Sequence, residues 1–419
     1  MKDFGETALG ACQSVAFQDE LPRERREPLS TKVLLLTPYS PLLSYDHAAN
    51  DIALPLVKAL APLLDLHVYA PNQRNGALTS WRADGVTYHA GSPVRRTPFE
   101  RLGYYPYAAR QSWSRRSTKE ACVVVGKILP NILHAEYWQT AEPLLRSAKC
   151  VRASITLHDL PGEGVVQRSA DISPLRHWVQ QLERAKTQRT KTAILDKIDA
   201  IFVFSERDKG KIAGAKGVVE IAQLGLSPPA DTQSADWLGD QAHLAAFGGA
   251  MWRSENEATA IYLAREVMPL VRQRVPDAEL RIFGSRPTAA VRALDRELGV
   301  SVLGQVADYD GEFRHAGVTL APAMVEAGIL VKAIRAMAMG CPVVLNAASA
   351  DPIVGLTHGV HALVGDSTRE LATHIVELMQ DSDRARQLGE AARGLVRARF
   401  SWEHTAEAYR RVFEQLVRN

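Results

Sequence analysis

The residues Phe247-Gly248-Gly249-Ala250 end an apolar run in a glycine pair, and Ser254 then opens a helical period that carries Asn256. Glycine lets backbone approach a ligand closely, and the free amides of a helix start, with Arg253 beside them, suit a diphosphate. A tight turn with glycine chosen for sterics explains the same residues, so both readings stand. Further along, Glu326, Gly328 and Lys332 crowd one predicted helix start, and Gly340 ends that helix before the apolar Pro342-Val343-Val344. Amides at such a start can hold a phosphate or a sugar hydroxyl, and a plain helix-to-strand unit is the other reading.

His158 and Asp159 follow the apolar run Ala153–Leu157 and precede Pro161-Gly162-Glu163-Gly164. The carboxyl end of a strand is where clefts form in parallel sheets, so His158 is a candidate catalytic group and Asp159 and Glu163 are candidates for orienting an acceptor; a structural histidine is the alternative. Asp308-Tyr309-Asp310 has the Asp-x-Asp spacing of a metal site. It follows the Gly304 turn and leads into a predicted helix, which assigns it to N-capping. Cys12, Cys122, Cys150 and Cys341 are widely spaced with no CxxC pair, so neither a disulfide framework nor a zinc site is expected.

These groups need elements to hold them. Short apolar runs at Val33–Thr37, Leu66–Tyr69, Ile132–His134, Ala153–Leu157 and Ala200–Phe204 alternate with segments of helical period, among them Ala49–Leu63 and the charge-interleaved Trp178–Lys197. A second series begins at Leu244–Gly248 and continues through Leu280–Gly284, Val300–Gly304, Val318–Leu320 and Pro342–Leu345. Alternation of this kind predicts α/β architecture, with two parallel sheets covered by helices and a cleft beyond the carboxyl ends of the strands. The reading divides the chain into a loose extension over 1–31, a Rossmann-like domain over 32–224, a linker over 225–241 rich in Ser, Pro, Asp and Gly, a second Rossmann-like domain over 242–401, and a helix over 402–419 packing back towards the first domain.

Bulk properties narrow the function. A chain of 419 residues suits two α/β domains. A formal charge of +3 gives no argument for nucleic acid. No apolar window is long enough to span a bilayer, and the polar start with its Arg23–Glu27 charge run is unlike a signal peptide, so a cytoplasmic location is expected. The Arg95-Arg96 and Arg115-Arg116 clusters read as solvated faces or as peripheral contacts with anionic lipid on the inner face of a membrane.

The stretch Gly328–Val344 resembles the sugar-nucleotide segment of glycosyltransferase family 4, in which a glycine-rich helix start is followed by Lys and then Leu-Glu-Ala-Met-Ala-x-Gly-x-Pro-Val-Val. Lys332, Ala336, Met337, Ala338, Gly340, Pro342, Val343 and Val344 match, and the likeness extends over nearly all of 244–419. His134-Ala135-Glu136, Leu157-His158-Asp159 and Phe204–Asp208 resemble the first domain of that family more loosely.

The resemblance implies a GT-B fold and a retaining hexosyltransferase, with a nucleotide diphosphate sugar as donor and a glycan, lipid-linked glycan or small-molecule hydroxyl as acceptor. It implies no metal or other cofactor. Arg253 and Lys332 would meet the diphosphate, Gly248, Gly249, Asn256, Glu326, Gly328 and Arg335 would line the donor pocket, and His158 would approach the sugar. The family's first acidic position falls on Ala327, one residue after Glu326, and its second falls on Arg335, which cannot accept ribose hydroxyl protons as a carboxylate does. Arg335 is expected either at a donor anion or in an ion pair with Glu326. Where the family has a glycine-rich loop after the first strand, this chain offers Tyr45, Asp46 and His47 towards the acceptor. The Arg335 replacement also admits a catalytically silent relative that binds nucleotide sugar or serves as a scaffold for a partner transferase.

Overall fold

The computed structural model describes residues 31–42, 52–71, 78–95, 103–147, 150–162, 174–226, 236–324 and 330–418. Tyr45, Asp46, His47, Glu163, Glu326, Gly328 and almost all of the expected 1–31 extension lie outside these residues.

The first apolar series forms an eight-stranded sheet of β1 (Lys32–Leu36), β2 (Asp65–Pro71), β3 (Thr79–Ala83), β4 (Val86–Gly91), β5 (Ile132–Glu136), β6 (Arg152–Thr156), β7 (Ala200–Val203) and β8 (Val218–Ile221). Its order is β3-β4-β2-β1-β5-β6-β7-β8, parallel throughout except for β3 against β4. The hairpin was not read from the sequence, although Asp84-Gly85 carries its signal. Both residues have positive φ, 49° and 79°, as a two-residue hairpin turn requires. Between the strands run helices including Ala53–Leu60 and Pro174–Lys197. The latter is mostly exposed, as its interleaved charges predict, with Lys186, Thr190 and Ile194 buried against the domain.

The second series forms a six-stranded parallel sheet of β9 (Gln241–Gly248), β10 (Glu279–Phe283), β11 (Val300–Gly304), β12 (Ala316–Leu320), β13 (Val343–Leu345) and β14 (Leu363–Val364). The order is β11-β10-β9-β12-β13-β14. Strands covered on both faces need continuous apolar runs, and Leu244–Phe247 and Ala316–Leu320 are buried throughout.

The last helix, Trp402–Arg418, belongs to the core of the first sheet although it follows the second in sequence. Its buried residues Trp402, Ala406, Tyr409, Phe413 and Leu416 recur at spacings of three and four, so one stripe of the helix is apolar. That stripe packs with Val33, Leu35 and Phe202, and the Tyr409 ring stacks on Phe202 at 4.2 Å. The chain crosses between sheets twice, and the crossings are bonded: Leu226 N donates to Phe400 O at 2.9 Å, and Thr405 Oγ1 to Gln223 O at 2.5 Å. Among the described residues no helix is long and apolar enough to cross a membrane.

Phe413 is fully buried. Phe413→Ala is expected to lower stability by about 3–5 kcal/mol in denaturant unfolding, with the loss in the transition of the first sheet and not of the second.

Candidate active site

The carboxyl end of β9 is shaped by packing before any ligand is considered. A side chain at Gly248 would meet Tyr309 Oη and Phe313 Cζ, each 2.7 Å from its Cβ, so this glycine makes room for an aromatic cluster with Phe283. Gly284 has φ 125°, and a Cβ there would fall 1.8 Å from the Gly249 carbonyl oxygen. Only glycine fits. Gly249 N donates to Phe283 O, Met251 N to Ser285 O and Gly284 N to Gly304 O, at 3.0, 3.0 and 2.7 Å, so the loops after β9, β10 and β11 are lashed together.

The helix Ser254–Tyr262 opens beside this lashing, with Arg253 at its N-cap. Asn256 donates from Nδ2 to Ala250 O at 3.1 Å, and its Oδ1 accepts from Lys332 Nζ at 2.9 Å. The amine lies 4.1 Å from the centroid of the Phe247 ring. Lys332 belongs to the helix Val331–Ala338, whose N-cap is Leu330. Burial lowers the amine from its ordinary 10.5 to about 7; the Glu255 carboxylate pulls it up and the Arg253 guanidinium pushes it down, and neither outweighs desolvation. Arg253 itself is half-exposed and paired with Glu255. Lys332, Arg253, Gly249 and Asn256 are thus brought together, with Glu255 as a carboxylate among them that the sequence reading did not name.

Arg335 donates from Nε and Nη2 to the two oxygens of Asp310 at 2.6 and 2.9 Å, a bidentate pair that the sequence analysis did not weigh; the expected partner Glu326 lies outside the described residues. Asp308 does cap the helix Tyr309–His315, accepting from Gly311 N at 2.8 Å. Both carboxylates of the Asp-x-Asp therefore have structural partners.

In the first domain, His158 lies beyond the end of β6 and meets a residue that the sequence analysis quoted only as part of a likeness. Its Nε2 donates to Glu136 Oε1 at 2.5 Å, and His134 Nε2 donates to Glu136 Oε2 at 3.0 Å. Glu136 is fully buried at the end of β5. Burial alone would raise its carboxyl, but the charge of His158 and the hydrogen bonds of both histidines outweigh it and hold the group at about 2, from an ordinary 4.5. The network continues from His134 through Thr156 Oγ1 at 3.2 Å to the Tyr409 hydroxyl at 2.5 Å, in the last helix.

The His158 ring stacks on Tyr137 at 3.8 Å, and Tyr137 has φ 80°, a conformation that costs a bulky residue about 1–3 kcal/mol. Asp159 follows His158 without entering a helix or strand. Two contacts bring the domains together at these strand ends. Arg207, just beyond β7, donates to Ala348 O at 2.8 Å, just beyond β13, and Val331, beside Lys332, packs against the first-domain core that holds Trp402 and Tyr409. The carboxyl ends of both sheets therefore border a common boundary, as an active cleft requires.

Comparison with known proteins adds a class. Residues 242–381 match the family model described as glycosyl transferases group 1. No curated protein matches the chain. Among solved structures, sucrose-phosphate synthase from Thermosynechococcus elongatus has 18% identity and a TM-score of 0.65, covering 92% of this chain and 99% of that one. A structure described as trehalose-6-phosphate from E. coli, bound with UDP-2-fluoro glucose, has 11% identity and a TM-score of 0.64, with coverage of 92% and 99%. HepE from Anabaena, in complex with UDP and glucose, has 13% identity and a TM-score of 0.62, with coverage of 92% and 100%. The chain has a GT-B fold, and its second domain carries a glycosyltransferase domain.

The Glu136 carboxyl is depressed in the folded state, so its stabilising contribution is present above about pH 4.5 and lost as pH falls through about 2. Glu136→Gln is expected to be less stable than the wild type by about 3 kcal/mol near pH 6. The gap should close between pH 4.5 and 2, as read by urea unfolding at each pH.

Proposed function

We propose that the chain is a retaining glycosyltransferase that moves a hexose from a nucleotide diphosphate sugar to a hydroxyl of a glycan, a lipid-linked glycan or a small molecule. The observation that carries this reading is the Lys332 amine, held by Asn256 over Phe247 at the glycine-lashed end of the second sheet. An amine kept partly out of water has an unmet preference for an anion, and a diphosphate satisfies it. The solved structures of HepE with UDP and glucose and of the E. coli protein with UDP-2-fluoro glucose make uridine diphosphate sugars the first donors to test.

In this reading the bond from the anomeric carbon to the diphosphate oxygen breaks, the acceptor oxygen bonds to that carbon, and the acceptor proton leaves with the diphosphate. Lys332 and Arg253 meet the charge that develops on the leaving oxygen. Gly249 and Asn256 shape the phosphate side, with Gly248 behind them and with Glu326 and Gly328, which precede the Lys332 helix in sequence. Arg335 acts through Asp310 to fix the helix that carries Lys332. His158, oriented by Glu136, approaches the sugar, and Asp159, Glu163, Tyr45, Asp46 and His47 serve the acceptor. No metal is needed where Arg253 and a Lys332 amine that takes up a proton with the ligand face the diphosphate. The replacement at Arg335 favours, as second reading, a silent relative that binds the nucleotide sugar and transfers nothing; it would release no free sugar from a bound donor.

A thermal-shift screen of UDP, GDP, ADP, TDP and their sugar conjugates tests the proposal, because a ligand of the native state raises stability by mass action. One diphosphate should raise the Tm, and Lys332→Ala should weaken its binding about tenfold or more. Absence of any shift counts against the reading. The titration carries its own sign. With its pKa lowered to about 7, the Lys332 amine of the unliganded protein is largely uncharged by about pH 8. A bound diphosphate stabilises the charged form, so binding near pH 8 should take up close to one proton, visible as a buffer-dependent enthalpy in calorimetry and absent in Lys332→Met.

A further inference from the structure

Outside the Lys332 cluster, the loops after β9 and β10 present a flat pair of side chains. Trp252 is 45% exposed, and the Arg286 guanidinium lies over its indole, 4.6 Å from the ring centroid. Arg286 is itself exposed and holds φ 48°, a left-handed conformation that residues with a Cβ rarely adopt. The plate is also fixed in place. Gly249 N and Met251 N donate to the backbone on either side of Gly284, and Ala250 O, two residues before Trp252, accepts from the Asn256 amide that holds Lys332.

A rigid, exposed aromatic and guanidinium stack therefore stands at the carboxyl ends of two adjacent strands, one loop away from the amine assigned to the diphosphate. Indole and guanidinium planes both stack on the π-face of a nucleobase. We propose that Trp252 and Arg286 form the platform on which the nucleobase of the donor stacks. The inference rests on the donor reading of the Lys332 site and adds to it the side chains that hold the other end of the nucleotide. Every base has a π-face, so the platform orients purine and pyrimidine alike and leaves the choice between them to groups at the base edge.

Calorimetry on the full chain, with UDP, GDP and inorganic pyrophosphate as probes, separates the two ideas. Trp252→Ala and Arg286→Gly should each weaken UDP and GDP about tenfold while leaving pyrophosphate within about twofold, and Trp252→Phe should recover most of the loss. Retained pyrophosphate binding shows that each variant is folded, so a weaker nucleotide affinity cannot be blamed on misfolding. Unchanged UDP and GDP affinity in both variants, with a fall in Tm, would reduce the pair to a clasp between loops and overturn the proposal. Equal losses for pyrophosphate and nucleotide would overturn it as well. A wild-type protein that binds pyrophosphate but no nucleoside diphosphate would instead sink the donor reading on which the platform rests.

Discussion

A lysine amine drawn out of water carries its charge at a cost, and the carboxyl end of the second sheet is arranged around the Lys332 amine. Asn256 accepts one of its protons and Phe247 lies beneath it, but neither supplies a full counter-charge. Glu255 is close enough to pull the amine up, yet that carboxylate also pairs with Arg253. Among the described residues the site is left short of negative charge, and an anion that enters it removes a penalty already present in the folded protein. Gly284 and Gly249 bring the loops close enough to hold Asn256 in place, and the bidentate Arg335–Asp310 pair ties the helix of Lys332 to its neighbour.

The first domain solves the opposite problem. Glu136 is a buried carboxylate surrounded by donors, two histidines directly and the Thr156 and Tyr409 hydroxyls behind them. Its charge is stable, so it acts as a fixed post that orients the His158 ring against Tyr137. Tyr409 comes from the last helix, which follows the second sheet. The network that steadies His158 therefore includes the segment by which the chain returns from one domain to the other.

Legibility in the sequence followed locality. The buried strands were readable because a strand covered on both faces must be a continuous apolar run, as in Leu244–Phe247. The role of Asp308 was readable because a cap is made within three residues. The hairpin Thr79–Gly91 carried its Asp84-Gly85 signal but lacks a clean apolar alternation, since β3 is exposed along most of its length. Glu136 was quoted only for likeness, and its importance depends on His158 arriving from the neighbouring strand, 22 residues on. The pairing of Arg335 with Asp310, 25 residues apart and on different helices, has no local pattern to announce it. The glycines Gly248 and Gly249 drew notice for ligand approach, and Gly248 proves to be required by the packing of Phe283, Tyr309 and Phe313.

The central claim is that the Lys332 amine waits for a diphosphate, and its own titration tests this most directly. Carbon-detected NMR of the lysine side chains, with Lys332→Arg for assignment, would follow the amine with and without UDP. The account requires a midpoint near 7 in the free protein, as burial dictates, and a rise towards the ordinary 10.5 when UDP is bound. A midpoint that stays where it was under saturating nucleotide would place the diphosphate elsewhere and contradict the account.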